Sequence, residues 1–181
     1  MSKEILFAAF GIVLATSVSA EEIRWKPETE KPGDYVVINQ TQSGRVTHVF
    51  MGKVGNAYVI QSYKGKVKSS EIDFTTYLDQ DGNYLKFVYP DGSMYKYQPH
   101  DCKRVLGTCR YTEIAPDGTR QKLTHVARAI KGGFEFQVLH QDGEVKLEGQ
   151  VMLDEHGNAG DGFTRGGSRV EKYKLVKSYF Q

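Results

Sequence analysis

The chain has 181 residues, with 24 basic and 22 acidic side chains and a net charge of +2. So close a balance gives little long-range steering toward nucleic acid or an acidic membrane, and no nucleic-acid partner is expected. Eleven Tyr and nine Phe against one Trp suit strands and half-buried surfaces better than helices.

Lys3 opens a short polar start, and residues 5–15 are apolar without interruption. Ser17-Val18-Ser19-Ala20 then places Val18 and Ala20 at the positions a signal peptidase reads, so cleavage is expected between Ala20 and Glu21. The apolar run is about half the roughly 20 residues that a membrane-spanning helix needs. Residues 1–20 are read as a secretory signal peptide, and the protein as periplasmic or extracellular. The remaining chain is long enough for one domain with its own core. Residues 21–33, with Trp25, Pro27 and Pro32, read as an extended lead-in, and 34–181 as a single β domain.

From Ser43-Gly44 onward, turn signals recur at intervals of mostly 10 to 15 residues, including Gly55-Asn56, Asp81-Gly82, Asp91-Gly92, Asp117-Gly118, Gly132-Gly133 and Asp142-Gly143. This is the beat of successive antiparallel strands. Asp-Gly suits type I′ hairpins, in which both central residues take positive φ. Between the turns the sequence alternates with period two: Leu85, Phe87 and Tyr89 share one face, as do Phe134, Phe136 and Val138, and then Val145 and Leu147. Nothing after Ala20 sustains helical apolar spacing over three turns without Gly or Pro. Residues 66–80 read as strand with a possible bulge. The five glycines within 156–168 leave little to pack and read as a mobile loop, followed by a last strand from Arg169 to Val176. The fold class is therefore all-β: an antiparallel up-and-down meander of about 8–10 strands, as a closed or partly open barrel, with a two-layer sandwich as the alternative.

Cys102 and Cys109 are the two cysteines. In an oxidising compartment such a pair is most simply a structural disulfide, contributing about 2.5 kcal/mol for a loop of roughly eight residues. A metal site would need four ligands, and a redox pair would more often be spaced C-x-x-C.

The chemistry-bearing motifs fail on particular positions. Registering Asp79-Gln80-Asp81-Gly82 on a calcium loop puts Tyr77 at the first ligand position and Val88 at the last, where acidic oxygens are required. Gly157–Gly162, with Arg165 and Arg169, has no G-x-x-x-x-G-K-[ST] phosphate-loop pattern. Five scattered histidines (His48, His100, His125, His140, His156) show no metal-binding spacing, although His48 and His125 could meet across an interior. No serine or cysteine sits in a nucleophile motif. No catalytic residue, cofactor or metal is assigned. Asn39-Gln40-Thr41 fits a glycosylation acceptor, read as incidental.

Tyr89-Pro90-Asp91-Gly92-Ser93-Met94-Tyr95 resembles the hairpin core of one MORN repeat. The likeness spans that hairpin alone; Ala115–Thr119 keeps only the turn, so that family's fold and lipid role are not carried over. Lipocalins offer an architectural comparison only, because Ile23 stands two residues before Trp25 where they carry Gly.

The expected function is an exported, non-catalytic β-barrel that binds a small apolar or aromatic ligand. The first alternative is an envelope protein-protein interaction module using Lys103–Leu106, the glycine-rich loop and a basic tail (Arg169, Lys172, Lys174, Lys177). The second is a small outer-membrane barrel; short connections and polar interruptions such as Thr119–Thr124 argue against membrane association.

Overall fold

The computed structural model describes residues 30–65, 71–98, 106–153 and 159–179. The leader with Ala20 and Glu21, Trp25, and Cys102 with the Lys103–Val105 tip lie outside the described residues. All regular structure among the described residues is strand. The strands are β1 (Tyr35–Gln40), β2 (Gly44–Val54), β3 (Ala57–Lys64), β4 (Ile72–Leu78), β5 (Tyr84–Val88), β6 (Met94–Gln98), β7 (Gly107–Ile114), β8 (Arg120–Ile130), β9 (Gly133–Leu139), β10 (Val145–Leu153), β11 (Ala159–Gly166) and β12 (Arg169–Tyr179).

Each strand pairs antiparallel with its neighbours in sequence, and β1 pairs with β12, from Tyr35↔Tyr179 to Gln40↔Tyr173. The meander is thus a closed barrel of twelve strands rather than a sandwich or an open sheet. Closure leaves no edge strand to protect. At the seam, Tyr35 stacks on Tyr179 at 5.4 Å, with the Lys177 ammonium 5.5 Å from the Tyr35 ring centroid. Bulges at Val37/Ile38, Phe50/Gly52, Tyr77/Leu78 and Val145/Leu147 bend the wall.

The turns differ from the expected type I′. At Asp79–Asn83, Tyr89–Ser93, Ala115–Thr119 and His140–Glu144 only the glycine has positive φ, at 79°, 83°, 86° and 91°. Each glycine amide donates to the carbonyl of the first residue, a type I turn followed by a left-handed glycine. The aspartate has no need of positive φ because its carboxylate accepts an amide hydrogen bond: Ser93 to Asp91 at 2.9 Å, Thr119 to Asp117 at 2.8 Å, Glu144 to Asp142 at 3.0 Å. In the first turn Asp79 has this role, accepting from the Asp81 and Asn83 amides at 2.8 and 2.9 Å. The Asp79–Gly82 stretch is a hairpin.

Two further expectations are corrected. The barrel has more strands than the expected 8–10, partly because the glycine-rich stretch holds β11. A Cβ at Gly162 would lie 2.2 Å from the Gln150 carbonyl oxygen and 2.6 Å from the Tyr173 ring, and one at Gly149 would lie 2.9 Å from the Phe136 ring. The glycines therefore leave room for cross-strand rings to lie against the wall, which makes this a strand and not a loop. The expected last strand from Arg169 is β12, which carries the basic residues Arg169, Lys172, Lys174 and Lys177 and is bonded on both sides.

Register divides the wall into two faces. One contains the paired sets His48, Ser62, Phe74 and Phe50, Ile60, Thr76, Phe87, Tyr95, continuing through Tyr97, Glu113, Gln121 to His125, Val138, Leu147. The other contains Lys86, Lys96, Ile114, Arg120 and Arg128, Glu135, Gln150, Phe163, Lys172. The first is the inner face: from it Lys146 on β10 reaches Glu113 on β7, three strands away, which only a concave surface permits. Apolar burial concentrates there, at Ile38, Val46, Phe50, Leu78, Leu123, Ala127, Val138 and Val151. The charged residues mostly face out.

Candidate functional site in the barrel interior

Twelve strands spaced ~4.8 Å apart and tilted by roughly 40° enclose a circle of about 24 Å between opposite backbones. Eight strands give an interior that side chains just fill. Here the inward aromatic rings differ in how far they are covered. Phe50 is buried at 6 %, whereas Phe74, Phe87, Tyr97, Tyr111, Phe136 and Tyr173 keep intermediate exposure. Tyr84 is 51 % exposed although it faces inward beside Leu78 and contacts Phe87 at 4.9 Å and Tyr97 at 6.2 Å.

Four phenols converge. Burial raises the pKa of Tyr84. Burial also pushes Tyr111 up to about 12, with further upward contributions from Glu113 and Tyr84. Tyr97 moves in the same direction, by burial first and then by Glu113 and Tyr111. Tyr173 is pushed up to about 12 by burial and by Tyr84. The effect of Tyr84 on Tyr173 acts across the barrel, since β5 and β12 are five places apart round the wall. Tyr84 keeps 51 % of its surface accessible while its hydroxyl is desolvated by the surrounding protein. All four phenols are neutral hydrogen-bonding groups at pH 7.

Beside them lies an ion pair. The Lys146 ammonium donates to Glu113 Oε1 and to Gln121 Oε1 (3.2 Å), and the Tyr97 hydroxyl donates to Glu113 Oε2 at 3.4 Å. The side chains of Lys146 and Glu113 are 29 % and 15 % exposed. The bulge between Val145 and Leu147 adds one residue to β10 and turns Lys146 toward this group. Sequence reasoning missed the cluster, because pairing Glu113 with Lys146 requires the register of four strands and a bulge.

The sequence-selected residues are placed elsewhere. His48 and His125 both face inward, but each is satisfied on its own side. His48 Nδ1 shares a 2.8 Å hydrogen bond with Ser62 Oγ, and His125 stacks on Phe136 at 5.7 Å. Burial pushes the His48 imidazole down to about 4 against a smaller upward pull from Asp73. Ser62 is 0 % exposed, so a substrate could not reach this Ser–His pair. Among the described residues, no group of three His, Cys, Asp or Glu side chains is placed to hold a metal ion. Cys109 is buried at 5 %, and no free cysteine occurs among the described residues. Asp161, in the glycine-rich stretch, accepts the Leu175 amide at 2.7 Å.

At the rim, a groove of about 540 Å³ is lined by Tyr89, Tyr95, Pro90, Pro116 and the acidic Glu71, Asp73 and Asp91. Two of those carboxylates are already engaged, Asp73 by Lys64 at 2.9 Å and Asp91 by the Ser93 amide. No helix among the described residues is long and apolar enough to cross a membrane, which leaves β-barrel insertion open. No protein-family model matches the chain, and neither a curated protein nor a solved structure shows significant similarity to it.

Proposed function

We propose that this protein is an exported, non-catalytic β-barrel that takes a small apolar or aromatic ligand into its lumen. The observation that carries the reading is the inner lining: rings from opposite walls converge, yet most remain partly accessible, and Tyr84 remains half exposed. An aromatic wall with a few convergent polar groups is the usual composition of a small-molecule pocket. Equilibrium dialysis of the purified protein against a naphthalene-class probe tests it. Saturable one-to-one binding, displaced by extracts from the native host, is the expected result. Absence of saturable binding together with ligand-free protein in native mass spectrometry would refute it.

Export and the Cys102–Cys109 disulfide belong to the same proposal. Intact mass of the secreted product should correspond to a chain starting at Glu21 in its oxidised form; retention of Met1 contradicts export.

The alternative of an envelope partner is supported by one feature of the outer wall. Lys86 and Lys96 stand directly opposite each other across β5 and β6, with Arg120 further along the same row. Like charges in that position are destabilising unless an acidic surface answers them. The outward charges on β8 and β12 favour water over lipid as surroundings, since a membrane barrel presents an apolar band about 25 Å tall.

A further inference from the structure

The polar group in the lumen narrows the ligand class, and the inference rests on the lumen-binding reading above. An ammonium carries three N–H donors. Lys146 gives one to Glu113 and one to Gln121, and the third has no protein partner among the described residues. Lys146 is also the more accessible member of its ion pair. The lumen therefore presents a positioned donor next to the Tyr97 and Tyr111 rings, which pack at 5.9 Å.

The charge of the group decides between a neutral and an anionic acceptor. Glu113 is held against Lys146, so the pair has no net charge to offer an anion. Its carboxylate also accepts from Tyr97, and its field disfavours a second negative charge at Tyr97 and Tyr111. An incoming carboxylate would meet the same repulsion and would shed its hydration shell on entry. A carbonyl oxygen avoids both penalties.

We propose that the lumen selects a neutral ligand with an aromatic or extended apolar body and one carbonyl-type oxygen, that oxygen accepting a hydrogen bond from the Lys146 ammonium while the body packs against Tyr84 and Tyr97. A hydrogen bond to a charged donor is worth about tenfold or more in affinity.

Three probes of one shape separate the possibilities: acetylnaphthalene, ethylnaphthalene and naphthoate, each measured by equilibrium dialysis with the full exported protein. Acetylnaphthalene should bind about tenfold tighter than ethylnaphthalene, and naphthoate the weakest. The double variant Lys146→Met/Glu113→Gln removes the donor without stranding a buried charge. In it, the acetyl preference should fall to about one. If none of the probes binds, the lumen-binding reading itself fails. Equal wild-type affinity for the acetyl and ethyl compounds, or tightest binding of naphthoate, overturns the carbonyl selection and leaves lumen binding standing. Those comparisons need no variant; a preference that survives in a folded double variant overturns the role of Lys146.

Discussion

Mild acid should weaken this barrel through one inward histidine. His48 is pressed among Ser62 and Phe74 on the inner wall, and burial lowers its pKa from an ordinary 6.5 to about 4. The unfolded chain therefore takes up this proton first as pH falls. The stability held in the neutral imidazole is fully present above pH 6.5 and is lost progressively between pH 6.5 and about 4. A gap of that size corresponds to about 3 kcal/mol at 1.36 kcal/mol per pH unit, a large share of the roughly 5–15 kcal/mol that holds a domain together. Urea unfolding followed by circular dichroism at pH 7, 5.5 and 4, on wild type and His48→Gln, isolates the effect. The Gln variant keeps a partner for Ser62 but has no proton to bind. The wild type should lose about 3 kcal/mol more than the variant across this range, most of it between pH 6 and 4. Parallel curves for the two proteins would show that His48 takes up its proton as readily folded as unfolded, and the inward placement of its face would have to be abandoned.

Other outcomes follow from the wall itself. Gly162→Ala should cost about 1–3 kcal/mol in urea unfolding, because the new methyl meets the Gln150 carbonyl and the Tyr173 ring; Gly118→Asn, at an open left-handed turn, should cost much less. Glu113→Ala strands Lys146 and should lower stability by about 2 kcal/mol, a loss largely recovered in Lys146→Met/Glu113→Gln. On the alkaline side, Tyr111 is harder to ionise folded than unfolded, so its contribution is present below pH 10 and is lost as pH rises toward 12. Ultraviolet titration of Tyr111→Phe should accordingly lack one late-ionising phenol. Deleting residues 170–181 removes most of β12 and should abolish the cooperative unfolding transition, whereas a dispensable tail would leave it intact.

The hairpin rhythm was legible because each turn carries its own local chemistry. In Tyr89–Ser93 or Ala115–Thr119 a Pro, an Asp and a Gly sit at the positions a type I turn with a left-handed glycine needs, and no distant residue is required to form it. Period-two alternation likewise placed Phe87, Phe134 and Phe136 on a common face. β11 was illegible for the complementary reason. Its glycines have no apolar side chain to count, and their role becomes visible only when Tyr173 and Leu175 from the next strand lie beside them. The lumen group was hidden in the same way. Glu113, Gln121 and Lys146 look like ordinary surface charges in strands, and a single bulge in β10 decides that the lysine turns inward. What depends on neighbouring residues could be read from the sequence; what depends on shear around the hoop could not.

The junction of β1 and β12 has a consequence for biogenesis. Because β12 is the piece that locks against β1, the hoop cannot shut until β12 has emerged, and every earlier stage is a ribbon with two sticky margins. A chain built this way depends on being kept apart from its own copies while it is being made, and its speed of assembly is set by how quickly its two ends find each other.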